Sequence, residues 1–318
     1  MSIYFKFNSL LINSYQPPIV SSNSSFTESV RRSCSFYSSL SLSHINSLAL
    51  TIYNNIDFGT QTQNLPSSEY SFQFHSCTWD NCCSEPAGAI SCDQSDASLI
   101  VMNCKFNNCN STSGVTATQA FNGGAICVIG ISTFIVSSSS FYNCRAPQTI
   151  HDNGGSGGLY IYYLKKTFSL SSSDFISCLT GSSGAAIYFV SSSTPKLDIE
   201  TVLDCRVINC KAQVNSPDGG GMCLWEWTDT LKCTGCLFSG CSSTSTGGGL
   251  NFNFAANSES YPIKFCFFIG NTASYVGNDI FLYLLPNNDN LVLKHCFTLS
   301  NSKRIGYQIN NQVYTTDN

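Results

Sequence analysis

The chain has 318 residues, of which 42% are hydrophobic, 13% aromatic and only 11% charged, with a formal net charge of −4. That balance gives no basic footprint, so neither nucleic acid nor an anionic lipid surface is expected as a partner. The longest wholly apolar run, 280–285, is far short of the ~20 residues a membrane-spanning helix needs.

Residues 1–33 carry no repeat and read as an irregular N-terminal segment or cap. Their apolar stretch is broken by Lys6, Asn8 and Ser9 and followed by Pro17–Pro18, unlike a secretory leader. Asn23-Ser-Ser is a sequon. CSFYSS (34–39) is the first trace of a repeat that runs to residue 301, and the 43 residues from Cys34 to Cys77 hold either a further rung or an irregular loop. From Cys77 onward three marks recur in fixed order. The first reads CTWDNC (77–82), CKFNNC (104–109), SSFYNC (139–144), SDFISC (173–178), CRVINC (205–210), CLFSGC (236–241) and CFFIGN (266–271). CFTLSN (296–301) follows with its Phe one place early, and successive starts differ by 27, 35, 34, 32, 31, 30 and 30 residues.

The second mark is glycine-rich and leads into an alternating strand. Every second residue forms an apolar pair: Ile90/Cys92, Ile126/Val128, Leu159/Ile161, Ile187/Phe189, Met222/Leu224, Leu250/Phe252 and Ile280/Leu282. Period-2 alternation means a strand with one buried face. The third mark, five and three residues before the first, is apolar in every copy except at Glu200. Three short strands per ~30 residues, Gly/Ser/Asn turns and no helical period predict an all-β fold. It is expected to be a right-handed parallel β-helix of about eight coils over 34–301, with a C-terminal tail over 302–318. A β-sandwich of short strands is the alternative, but it does not require the same three marks in one order.

The GGAI (123–126), GGL (157–159, 248–250), FYNC (141–144), FISC (175–178) and FFIGN (267–271) segments resemble the repeats of polymorphic outer-membrane proteins. Those repeats are known from chlamydiae and from surface-protein families of trichomonads, and the resemblance spans roughly 70–301. It implies a pectin-lyase-like β-helix at the cell surface or outside the cell, working in adhesion or as a variable surface antigen. Such families carry a membrane barrel or a transmembrane anchor, and 302–318 resembles neither, so a cytoplasmic structural protein stays open as an alternative.

The eighteen cysteines mostly fall on the first mark. Cys34, Cys77, Cys104, Cys205, Cys236, Cys266 and Cys296 form one column, and Cys82, Cys109, Cys144, Cys178, Cys210 and Cys241 the other. Neighbours in a column lie within disulfide reach, yet Ser139, Ser173, Asn271 and Asn301 occupy the same slots. Stacked thiols and bridges both remain open. Cys233-x-x-Cys236 is one zinc-type pair with no second pair near it in sequence, so no metal or other cofactor is expected.

Catalysis on polysaccharide needs two carboxylates across the scissile bond, and no acidic column exists. His44, His75, His151 and His295 are scattered; His151–Asp152 precedes a flexible glycine turn. A non-enzymatic role is therefore expected, with a β-helical polysaccharide lyase or hydrolase as the alternative. Opposite the apolar column of the Gly-led strand stand Tyr160, Tyr162, Tyr188, Trp225, Trp227, Phe281 and Tyr283. They form either a stacking face for a glycan or partner protein or a surface covered by loops. A second sequon, Asn110-Ser-Thr, is expected in a loop. The sequence sets no oligomeric state.

Overall fold

Corners organise this chain. Before each first-column residue stands a residue with left-handed backbone: Ser76, Asn103, Ser138, Ser172, Asp204, Gly235, Phe265 and His295, with φ between 48° and 71°. Five residues on, the pattern repeats with Asn81, Asn108, Asn143, Ser177, Asn209, Gly240 and Gly270. Asn, Asp and Gly enter this region most cheaply, which is why they crowd these positions. Each such residue turns the chain sharply, so the three residues between two corners become one short strand. The asparagines also bind each other across rungs: Asn108 Nδ2 donates to Asn81 Oδ1 at 3.2 Å, and Asn143 Nδ2 to Asn108 Oδ1 at 2.8 Å.

The computed structural model describes residues 50–65, 71–94, 96–112, 122–146, 155–191, 199–213, 218–225, 232–253, 261–284, 291–299, 304–309 and 312–316. Residues 1–33, Cys34, Asn23, His44, His151, Asp152 and Trp227 lie outside them. All described elements are β-strands, and all but the last stack in parallel as a β-solenoid. The first sheet has nine strands, from Leu50–Asn54 to Leu291–Lys294; the second has nine, from Asp57–Gly59 to Phe297–Leu299. The third has ten, from Gln63–Asn64 to Gln312–Thr316.

The predicted columns hold residue for residue. On the third sheet Ile90, Ile126, Leu159, Ile187, Met222, Leu250 and Ile280 are successive partners. On the second, Trp79, Phe106, Phe141 and Phe175 stack with centroids 4.7, 4.7 and 4.6 Å apart and planes within 6°. These columns meet in one continuous core. Each buried Phe or Leu in it contributes on the order of 1.5–3 kcal/mol.

Three features settle or extend the sequence reading, the first by choosing a rung over a loop before Cys77. An extra rung precedes Cys77: Leu50–Asn54 pairs with Ser71–His75, and Phe58 stacks on Trp79 at 4.7 Å. A further sheet of seven two-residue strands, Cys83–Ser84 to Thr272–Ala273, lines the side behind the second corner. It explains the paired glycines: a Cβ on Gly124 would lie 2.1 Å from the Gly157 carbonyl oxygen and 2.7 Å from the backbone of Arg145 on that sheet. Finally, the stretch expected as a tail continues the third sheet. Ile305–Ile309 pairs in parallel with Ile280–Leu284, and Gln312–Thr316 folds back on it antiparallel.

Candidate functional site

The outer face of the third sheet carries six of the aromatic residues singled out above, all but Trp227, in two columns. The inner of these runs Cys127, Tyr160, Tyr188, Cys223, Asn251 and Phe281 in register. It is not open to water as expected: Cys127, Tyr160, Cys223, Asn251 and Phe281 are buried, and only Tyr188 is partly exposed. Tyr160 packs with Ala87 and Cys127 in a small second core. The stacking-face expectation is therefore corrected for Tyr160 and Phe281. Parallel sheets covered on both faces read as continuous apolar runs, and LYIYYL (159–164) and IFLYL (280–284) are such runs.

The next outward column, two residues on, is different. Tyr162, Trp225 and Tyr283 are each half-buried. Beside them the third sheet breaks its period. The pairing between Leu159–Leu164 and Ile187–Ser191 slips between Tyr162 and Leu164, leaving Tyr163 as an unpaired bulge. Tyr163 has φ of 56°, an uncommon conformation for a bulky residue, and its side chain is 48% exposed. Its ring lies 3.9 Å from that of Tyr162, tilted by 44°. The main-core residues of LYIYYL run 159, 161 and 164, so the alternation skips one place at the bulge.

Asp218 supplies the charge of this region. Thr246 Oγ1 donates to its Oδ1 at 2.5 Å, and Tyr283 donates to its Oδ2 at 3.5 Å. Asn251 Nδ2 in turn donates to Thr246 Oγ1 at 2.9 Å. Burial pushes the Asp218 carboxyl above the usual carboxylate range, against the hydrogen bonds from Thr246, Ser245 and Tyr283. Burial raises the Tyr188 phenol above its ordinary value, with Cys223, Tyr162 and Asp218 adding to the shift. Burial and the Tyr163 hydroxyl push Tyr162 up to about 12. These phenols therefore stay protonated donors at neutral pH. Two half-buried rings, an exposed ring, an indole and a half-buried carboxylate form a strip that can stack on a sugar face and bond its hydroxyls.

No known protein family, characterised protein or solved structure matches this chain. The chemistry of its own residues is what remains to read.

A second exposed surface was missed. Outward positions of the second sheet are polar early, as in Thr78/Asp80 and Lys105/Asn107, and Asp174 accepts from Arg206 across rungs at 2.6 Å. Later they turn apolar: Phe267, Ile269, Phe297 and Leu299 pair across the last two rungs and are 38–51% exposed. Phe297 faces water because it registers with Phe267, not Phe268, which places Thr298 over the core position. His75 and His295 are structural, one bound to Gln73 at 3.1 Å and the other stacked on Phe265 at 5.1 Å.

The sequon residue Asn110 sits on a two-residue strand with Ser111, not in a loop. Neither the Asn110 Oδ1 nor the Ser111 hydroxyl finds a partner among the described residues. The cysteine columns are in place. Cys82, Cys109, Cys144, Cys178, Cys210 and Cys241 stand in successive rungs as buried thiols, each donating to backbone carbonyls, as Cys144 does to Phe106 at 3.5 Å and Cys210 to Phe175 at 3.6 Å. Cys77, Cys104, Cys205, Cys236, Cys266 and Cys296 are likewise free thiols, interrupted by Ser139 and Ser173.

Proposed function

We propose that this chain is a non-enzymatic recognition protein of the cell surface or extracellular space. In this reading it is adhesin-like or a variable surface antigen of the polymorphic outer-membrane-protein kind. Its right-handed β-helix of about eight coils presents the strip of Tyr162, Tyr163, Tyr188, Trp225, Tyr283 and Asp218 to a glycan on a host or partner surface. Right-handed winding is supported by the handedness of parallel β crossovers in general, and the coil count by nine parallel strands in each of two sheets.

The observation that carries the reading is Tyr163. Holding an aromatic residue at positive φ on a bulge costs of order 1–3 kcal/mol, with the ring left half in water. The strain is not repaid by burial, since the ring touches Tyr162 yet stays 48% exposed, and it serves display. The test is Tyr163→Gly together with Trp225→Ala, applied to a glycan array and to cell attachment. Glycine relieves the backbone strain, so Tyr163→Gly is expected to melt no lower than the wild type while attachment falls at least tenfold. Attachment that survives both substitutions at full strength removes the proposal.

The alternative is a polysaccharide-cleaving β-helix, and the raised Asp218 carboxyl is the one feature that favours it, as an acid protonated closer to neutral pH. Depolymerisation of acidic polysaccharides by the wild type, lost in Asp218→Asn, would select that reading.

A further inference from the structure

The two thiol columns have one irregularity. On the first sheet the inward position three residues before the first-column residue is Phe74, Val101, Val136, Leu170 and Val202 in successive rungs, and Ile263 later. Between Val202 and Ile263 it is Cys233. That exchange brings a third sulfur to a place where the column already holds two. Cys233, Cys236 and Cys266 keep their sulfurs within 4.8 Å of one another, and all three are buried. The Sγ atoms of Cys233 and Cys266 are 3.9 Å apart, within hydrogen-bonding distance for sulfur. Elsewhere the columns give lines of thiols; only here do the described residues close a triangle.

We propose that this triangle is a binding site for a soft, thiophilic d10 metal ion, specifically Cu(I). Three sulfurs around a trigonal ion at ~2.3 Å from each lie about 4.0 Å apart, close to the spacing already present. Loading therefore needs side-chain shifts below an ångström and no movement of strands. Thiolate is the ligand type that selects Cu(I) and Zn(II) over harder ions. Structural zinc demands four ligands, whereas three sulfurs saturate Cu(I). Cys296, one rung on, donates to the Ile263 carbonyl at 3.4 Å and lies outside the triangle. Binding forms S–Cu bonds, releases thiol protons to solvent and changes no oxidation state. Because the sulfurs are sealed in the core, the ion enters as the chain folds.

The test is anaerobic refolding of the full chain with Cu(I), followed by competition with a Cu(I) chelator and metal analysis. The wild type is expected to retain one equivalent and to melt higher when loaded. Cys233→Val places in this rung the residue that three other rungs carry there, so it folds, and it is expected to retain none. Cys144→Ser, in the thiol line away from the triangle, is expected to keep the equivalent. Equal retention by Cys233→Val overturns the site. So does a Cys233–Cys236 disulfide in the native protein, or one equivalent of Zn(II) held with Cys296 in preference to Cu(I).

Discussion

Phe267 and Phe268 are neighbours on one three-residue strand, and the solenoid assigns them opposite fates. Phe268 is fully buried and stacks on Phe238 with centroids 4.8 Å apart and planes 3° apart, while Phe267 is 48% exposed. Truncating a core phenylalanine costs about 3–5 kcal/mol, combining lost transfer energy with the cavity left behind. On its C-terminal side Phe268 registers with Thr298 instead of another ring. Only one stacked partner is lost, which puts Phe268→Ala near the lower end, about 3 kcal/mol. Phe267→Ala removes a half-solvated ring and should stay within about 0.5 kcal/mol. Urea unfolding followed by far-UV circular dichroism measures both. In a solenoid each unit contacts only its neighbours, so Phe268→Ala should also split off an early transition for the C-terminal rungs. Equal effects of the two substitutions, or a larger one for Phe267→Ala, would refute the in–out assignment of the whole second sheet.

Thiol accessibility gives a second check: among the described cysteines only Cys83 is exposed and Cys296 partly so. Native alkylation read by peptide mapping should mark Cys83 quickly and leave Cys144, Cys178 and Cys210 unmarked until denaturant is added. Their burial also pushes these thiols up, which slows them further. The Asp218 carboxyl is raised in the folded chain above its ordinary 3.8. Between those two values the native state holds more protons than the unfolded one, so stability must fall as pH rises through that window. Thermal melts across it should show a slope that Asp218→Asn reduces.

The sequence carried the three columns because each is a side chain facing the same way once per rung, and a position repeated eight times shows through substitution. It did not carry the small fourth sheet, whose two-residue strands are too short to show any alternation. The rung at 50–64 stayed one of two alternatives because its registered spacing is only 21 residues, from Thr51 to Phe72, and Tyr53 and Phe58 fill it without the cysteine corners. The strip was half legible. Alternation predicted which way Tyr162, Tyr188, Trp225 and Tyr283 point, but which outward positions are covered depends on chain that packs from elsewhere. Asp218 precedes a glycine mark without any pattern of its own, and it joins Tyr283, 65 residues later, only through stacking.

The columns that looked most like a functional feature are better explained as corner chemistry. At the first corner the side chain returns a hydrogen bond to the carbonyl two residues back. Cys104 and Cys205 do so at 3.3 and 3.2 Å, and Ser139 and Ser173 at 2.9 and 2.8 Å. The serine oxygens additionally accept a backbone N–H from the preceding rung, Cys104 N at 3.1 Å and Ser139 N at 3.2 Å. Asn271 does equivalent work at the second corner, accepting from Cys241 N at 3.0 Å and donating to the Phe238 carbonyl at 3.1 Å. The slot therefore asks for a small donor that survives burial. A thiol meets that demand at low desolvation cost because it is nearly apolar; a hydroxyl or amide meets it by making more bonds. Interchange within a column follows from that demand and needs no bridge. Cys233 answers no corner, since its counterparts are hydrocarbon, and that is what separates the triangle from the lines of thiols beside it.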